Sequence, residues 1–224
     1  MTRSLALSFA LAIQPLVAQP AIITGTASVI DGDTVRVGAA SVRLHGVDAA
    51  EAGQSCELAD GRSWRCDVAA TDLLVELTQG QEISCEMLQV DGYGRLVSTC
   101  EIDGVDLGAA LIGRGLAWAY TDYSDDYVEQ EAAAREAGIG IWRGGAEPTT
   151  PAAYRADSWA RAAAASPRPG CPVKGNIDRK GEKIYHTPWS ACYARTKIDT
   201  SKGEAWFSDE AEAIAAGWRP ARPR

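Results

Sequence analysis

Asp31-Gly32-Asp33-Thr34-Val35-Arg36-Val37-Gly38-Ala39-Ala40-Ser41-Val42-Arg43-Leu44-His45-Gly46-Val47-Asp48 sets the fold class of this 224-residue chain. An Asp-Gly turn opens the stretch, and two short runs follow at 34–37 and 42–47, joined by Gly38-Ala39-Ala40-Ser41. Short runs of β-branched and apolar residues bounded by glycine and aspartate read as strands joined by tight turns. A similar run at 26–30 precedes the first turn. Downstream, 82–90 and 95–102 flank Asp91-Gly92-Tyr93-Gly94 and read as a hairpin. Between these β segments Cys66, Ala69, Ala70, Leu73, Leu74 and Leu77 recur at helical spacing, so a helix is expected over 64–78, stopped by Gly80. Two more helices are expected at 106–114, before Gly115, and at 125–137, capped by Ser124 and ended by Gly138. Five short strands interleaved with three helices make an α+β chain. They fit a five-stranded OB-fold barrel with three helices better than a sandwich or a doubly wound sheet.

The same segments carry chemistry. Asp33 follows a tight turn and Asp48 ends a strand, so neighbouring strands would let both carboxylates share one cation. No histidine or thiolate stands near them, which favours a hard, oxygen-liganded ion such as Ca2+ over zinc. Arg43 lies on the strand leading into Asp48, Glu51 follows three residues later, and Arg95 opens the strand after the hairpin turn. A forked guanidinium matches two phosphate oxygens and stabilises charge that grows in a transition state. Two cation ligands, a third carboxylate as base and two arginines are the parts that metal-assisted phosphodiester hydrolysis needs. Taken singly, Asp31-Gly32 reads as a hairpin turn, Tyr93 as a turn or packing residue, and Asp48 or Glu51 as solvated surface.

Composition narrows the choices. Residues 22–145 hold 8 arginines and no lysine against 21 acidic residues, a net charge of −13, whereas residues 146–224 carry +4. A domain that acidic lacks the broad basic face through which many proteins grip nucleic acid, so phosphate attraction must be local. With no lysine before Lys174, an Asp/Glu-x-Lys nuclease site is excluded from this domain, and no Gly-x-Ser-x-Gly marks an acyl hydrolase. Residues 1–18 read as a secretory signal peptide: Arg3, an apolar run from Leu5 to Ile13, the breaker Pro15, and Ala18 before the cleavage point. An exported protein, periplasmic or secreted, is therefore expected, with no membrane span. Six cysteines agree with export. Cys85 and Cys100 sit symmetrically about the hairpin turn, Cys56 and Cys66 close a short loop, and Cys171 and Cys192 are left for each other, giving three expected disulfides.

Jointly, the blocks resemble the staphylococcal-nuclease-like (thermonuclease) family, over about residues 22–144 and including Gly115-Leu116-Ala117 and Gly140-Ile141-Trp142. Within it the chain is most similar to exported, cysteine-containing bacterial members of the succinoglycan-biosynthesis type. The resemblance implies an OB barrel and an endonuclease acting on DNA or RNA with little sequence preference. It implies Asp33 and Asp48 as side-chain calcium ligands, the carbonyl of Ala49 as a further one, and Glu51 as the base activating water. Arg43 and Arg95 would bind the phosphate, and Tyr93, Tyr120 and Tyr123 would contact nucleotide. Two positions depart from the family pattern: its Thr-Pro before the glutamate is Ala49-Ala50, and a lysine before the tyrosine of Tyr93-Gly94-Arg95 is Gly92.

The domain plan is thus a signal peptide at 1–18, a nuclease-like OB domain at 22–145, a linker with a short helix at 146–170, and a small disulfide-stapled α+β module at 171–224. Thr150-Pro151 is a good helix start. The module is expected to hold strand-like runs at 184–186 and 195–198 and a helix starting at Ser208. Its positive charge fits either an anchor for polyanion or envelope, or docking onto the acidic barrel. A monomer is expected. The alternative for the whole chain is a non-catalytic OB binding module in envelope or exopolysaccharide assembly.

Overall fold

The computed structural model describes residues 20–221, so the expected leader at 1–18 lies outside the described residues. Strand β1 (Ile22–Val29) begins four residues earlier than the sequence predicts and pairs with β2 (Thr34–Val37), Val29 opposite Val35. β3 (Ala40–Leu44) pairs back on β2, with Arg43 opposite Thr34. The single strand expected over 42–47 is split in two. Gly46 takes φ +67°, and the His45 N–H turns to the Ser98 carbonyl at 2.9 Å. A Cβ on Gly46 would stand 3.1 Å from the Tyr127 ring, a second reason for glycine there. The break sends β4 (Val47–Ala49) out of the barrel sheet.

Next come a two-residue ladder, β5 (Cys56–Glu57) with β6 (Ser63–Trp64), and α1 (Cys66–Thr78). β7 (Glu82–Val90) and β8 (Leu96–Ile102) form the hairpin, with β9 (Val105–Asp106) leading into α2 (Leu107–Gly113). The Asp106 carboxylate caps α2 by accepting from the Ala109 N–H at 3.0 Å. β10 (Ala117–Ala119) pairs with β4, placing Trp118 opposite Asp48. α3 (Val128–Glu136) completes the three expected helices.

Neighbouring strands run in the order β3-β2-β1-β7-β8, and the parallel pairing of β3 with β8 closes the ring. The result is the expected five-stranded mixed barrel of OB type, with helices outside it. Its core is filled by Val35, Val42, Leu74, Ile83, Leu107 and Leu111, all fully buried. Full burial of a side chain of this kind contributes roughly 1.5–3 kcal/mol.

Cys56–Cys66 and Cys85–Cys100 are disulfide-bonded. The second pair meets although the hairpin is irregular: Asp91 bonds back to Arg95, so the loop centres on Tyr93, and a bulge between Met87 and Gln89 restores Cys85 opposite Cys100. The third expected bridge is corrected. Cys171 is a buried free thiol and Cys192 a half-buried one, whose sulfur accepts from Arg195 Nη2 at 3.0 Å within a turn.

Beyond the barrel, α4 (Pro151–Ala165) is a 15-residue helix rather than a short linker element, with the Thr150 hydroxyl capping the Ala153 N–H. A four-stranded sheet follows, built from β11 (Val173–Ile177), β12 (Lys183–His186), β13 (Ala205–Phe207) and β14 (Arg219–Pro220), with α5 (Glu210–Ala215) packed on it. The expected strand at 195–198 is absent: the Thr196 N–H turns back to the Cys192 and Tyr193 carbonyls. Val173, Tyr185, Phe207 and Trp218 form the module's core, and Trp159 of α4 packs against it. Among the described residues no helix is long and apolar enough to cross a membrane.

Candidate active site

The turn between β1 and β2 has to pass close to the start of α1. A Cβ on Gly32 would fall 2.7 Å from the Ala49 Cβ and 2.9 Å from the Ala70 Cβ, so only glycine fits. On either side of it, Asp31 Oδ1 accepts from the Asp33 N–H at 3.2 Å, and Asp33 points its carboxylate inward. Asp33 Oδ1 accepts from the Thr34 hydroxyl at 2.8 Å and from Arg43 Nη1 at 3.1 Å, while Oδ2 accepts from the Ala49 N–H at 3.4 Å. Arg43 also donates from Nη2 to the Val47 carbonyl and to Asp48 Oδ1, both at 3.3 Å. The β2–β3 register and the Gly46 break therefore bring Asp33, Arg43, Asp48 and the Ala49 backbone together.

Glu51 lies just past β4. Ala49-Ala50 stands where the resemblance would place Thr-Pro, and hydrogen bonds to Gln54 and Asp67 hold the loop. Gln54, fully buried, accepts the Glu51 N–H at 3.0 Å and donates to the Thr149 carbonyl at 2.7 Å. Asp67, at the start of α1, accepts the Gly53 N–H at 2.7 Å and is held by Arg65 at 2.7 and 2.6 Å. The most unexpected partner is Arg155 of α4. Its Nη1 donates to Glu51 Oε1 at 2.6 Å and to Asp48 Oδ1 at 3.1 Å, and its Nη2 to Asp48 Oδ2 at 3.2 Å.

The electrostatics follow from this crowding. Burial alone would raise Asp33, but Arg43 and the Thr34 hydroxyl outweigh it and hold the carboxyl below its usual range. Burial and the Asp33 charge push Asp31 up to about 7. Burial likewise pushes Glu51 up to about 7 in spite of the Arg155 hydrogen bond, and raises Asp48. Burial opposes the charge on Arg155, yet Asp48 and Glu51 leave it more firmly protonated than a free arginine.

The hairpin residues stand apart from this cluster. Arg95 donates from Nε to Asp91 Oδ2 at 2.7 Å and lies over the Tyr93 ring, 5.3 Å from its centroid. Its charge is near enough to help lower Asp33. Tyr93 is half-exposed and donates its hydroxyl to Glu210 of α5 at 3.3 Å. Tyr120 is near enough to Asp48 to feel its charge, and Tyr123 packs on Tyr120 with centroids 4.8 Å apart. Asp33, Arg43, Asp48, the Ala49 backbone and Glu51 thus lie together. Arg95 and Tyr120 are within range of their charge, Tyr93 lines a cleft with Arg155, and Tyr123 stands one ring further out. Asp31, Gln54, Asp67 and Arg155 were not anticipated. Asp31 was visible in the Asp-x-Asp pattern, but nothing in an alanine-rich helix marks Arg155.

The donor set suits a hard cation in kind, being all oxygen, and burial, with neighbouring carboxylates adding to it, disfavours the charged forms of Asp31 and Glu51. Among the described residues no three acidic, histidine or cysteine side chains converge as a closed cage. Asp33, Asp48 and the Ala49 carbonyl would supply oxygen ligands alone, with water completing the shell, a set that calcium accepts.

A family profile described as "Staphylococcal nuclease homologue" matches residues 41–144, and one described as "ArfC" matches residues 151–220. The chain is 40% identical over 124 residues to the succinoglycan biosynthesis protein ExoI of Rhizobium meliloti, covering 54% of this chain and 65% of that protein. It is 31% identical over 134 residues to an uncharacterized endonuclease of Escherichia coli O157:H7, covering 57% of this chain and 80% of that protein. It is 28% identical over 118 residues to a probable staphylococcal-like nuclease, CAN1, of Oryza sativa subsp. japonica, covering 52% of this chain and 32% of that protein.

Proposed function

The chain belongs to the staphylococcal nuclease homologue family, and from that premise we propose that it is an exported, calcium-dependent phosphodiesterase hydrolysing DNA or RNA with little sequence preference. One observation carries the reading: Asp33, Arg43 and Asp48 form one hydrogen-bonded cluster beside Arg95, and Glu51 is joined to it through Arg155, which bonds both Glu51 and Asp48. Asp33, Asp48 and the Ala49 carbonyl would hold the cation. Bound there, calcium supplies positive charge to a phosphoryl oxygen. Glu51 takes the proton of the attacking water, and Arg43 and Arg95 hold the non-bridging oxygens as charge accumulates on them. Tyr93, Tyr120 and Tyr123 offer ring faces to nucleotides. Two disulfides agree with an oxidising compartment.

Adding calcium to metal-stripped protein is expected to start cleavage of single-stranded DNA and RNA, and a chelator to stop it. Calcium binding without cleavage of either polymer would favour a non-catalytic binding module instead. That second reading draws on Arg155, whose hydrogen bonds engage Asp48 and Glu51, and on the Rhizobium relative, which is named a succinoglycan biosynthesis protein.

A further inference from the structure

Arg155 is the cation at the site for which the proposed chemistry has no use. It comes from α4, beyond the residues matched to the nuclease family, and reaches Glu51 across 104 positions of sequence. Asp48 Oδ1 receives both Arg155 Nη1 at 3.1 Å and Arg43 Nη2 at 3.3 Å, and Oδ2 receives Arg155 Nη2 at 3.2 Å. Three of the four lone pairs of this carboxylate are then committed to guanidinium donors. Glu51 directs Oε1 at the same cation from 2.6 Å. A divalent ion drawn to these oxygens would meet filled acceptors and a like charge at contact distance, in a site where burial weakens screening.

The helix is held from behind. Trp159, one turn after Arg155, packs into the core of the C-terminal module. A cleft of about 320 Å³ runs beside the contact, lined by Tyr93, Arg155, Trp159, Trp189 and Glu210. Of its lining residues, Trp159 and Trp189 have ring centroids 6.0 Å apart, and the Tyr93 hydroxyl donates to Glu210 at 3.3 Å.

We propose that Arg155 is a built-in counter-cation, held by α4 and the C-terminal module against Asp48 and Glu51, which a divalent cation must displace to enter the site. Cation entry and release of α4 from the barrel are then one event, and the appended module sets the cation concentration at which the site opens. This rests on the calcium reading of the same carboxylates.

The test is calcium titration of the full-length protein by calorimetry, without substrate, comparing wild type with Arg155→Gln and Arg155→Lys. Arg155→Gln should bind calcium about tenfold or more tightly, since charge-assisted hydrogen bonds no longer compete. Arg155→Lys, which keeps the charge but not the two-point grip, should fall between. Wild-type tryptophan emission should shift along the calcium isotherm as the cleft that Trp159 and Trp189 line opens away from Tyr93, and the Gln variant should start near the calcium-loaded spectrum. If the Gln variant is too unstable without calcium, Arg155→Lys carries the comparison. Equal or weaker calcium affinity in the variants overturns displacement while leaving the calcium site standing. No calcium binding by any of the proteins overturns the calcium reading and this inference with it.

Discussion

Arg43 and Arg155 grip the same carboxylate, Asp48, at 3.3 Å and at 3.1–3.2 Å, yet two different regions hold them there. Arg43 belongs to the barrel wall. Its place is fixed by the pairing of β3 with β2 and β8, and its other nitrogen is committed to Asp33. Arg155 belongs to a helix outside the barrel, supported by Trp159 packing into a separate core. The contacts are chemically alike; what differs is the cost of breaking them. Moving Arg43 disrupts three strands, whereas moving Arg155 shifts one helix. The barrel guanidinium is therefore a permanent part of the site and the helix guanidinium a replaceable one.

The largest expected effect breaks the permanent half. Arg43→Ala should lower turnover by about 10²–10³-fold, through loss of transition-state charge stabilisation. It should also cost about 3–5 kcal/mol in urea denaturation, because Asp33 and Asp48 lose a buried partner. Raising calcium should not restore turnover. Full rescue by calcium would put Arg43 in the same class as Arg155.

A smaller effect probes why the barrel half is rigid. Gly32→Ala places a methyl 2.7 Å from the Ala49 Cβ and 2.9 Å from the Ala70 Cβ, neither of which can rotate away. It should lower stability by about 1–3 kcal/mol and weaken calcium binding by shifting the turn that carries Asp33. Unchanged melting would show that this turn has slack.

The smallest concerns the loop of Glu51, which lies between the two regions. Asp67→Asn loosens the tie to the Gly53 N–H and should cost about 1 kcal/mol, with little from Arg65, whose side chain is 59% exposed. Burial acts to raise Asp67, but Arg65 and the Gly53 N–H hold it below the usual range. Its stabilisation is thus full above about pH 4 and lost as pH falls through the folded value. The urea-midpoint gap between wild type and variant should shrink on acidification from pH 5. A gap independent of pH would assign the tie to packing instead.

Much of the barrel was legible in its residues because the signals are local. Short β-branched runs, Asp-Gly turns and helical apolar spacing each act over fewer than twenty positions. The Cys85–Cys100 pairing was legible for a subtler reason: the loop is centred half a residue from where symmetry puts it, and the bulge near Leu88 cancels the offset. The split of β3 from β4 was hidden because a valine-rich run does not announce that Gly46 will bend it. In the site, Asp33, Arg43, Asp48 and Glu51 were readable as a motif. Arg155 was not, since its role depends on how α4 docks, and no sequence period encodes that. The module was least legible. Its strands are three to five residues long around glycine and turn residues, and Cys171 and Cys192, paired by elimination, remain free thiols.

The central claim, that this acidic cluster hydrolyses phosphodiesters with Glu51 as base, is tested most directly by turnover of wild type and Glu51→Gln on single-stranded DNA at saturating calcium, with calcium affinity measured in parallel. The account predicts wild-type cleavage well above background, a fall of about 10²-fold or more in the variant, and calcium binding retained by both proteins. Turnover that is the same in both proteins, whether at background or above it, would contradict it.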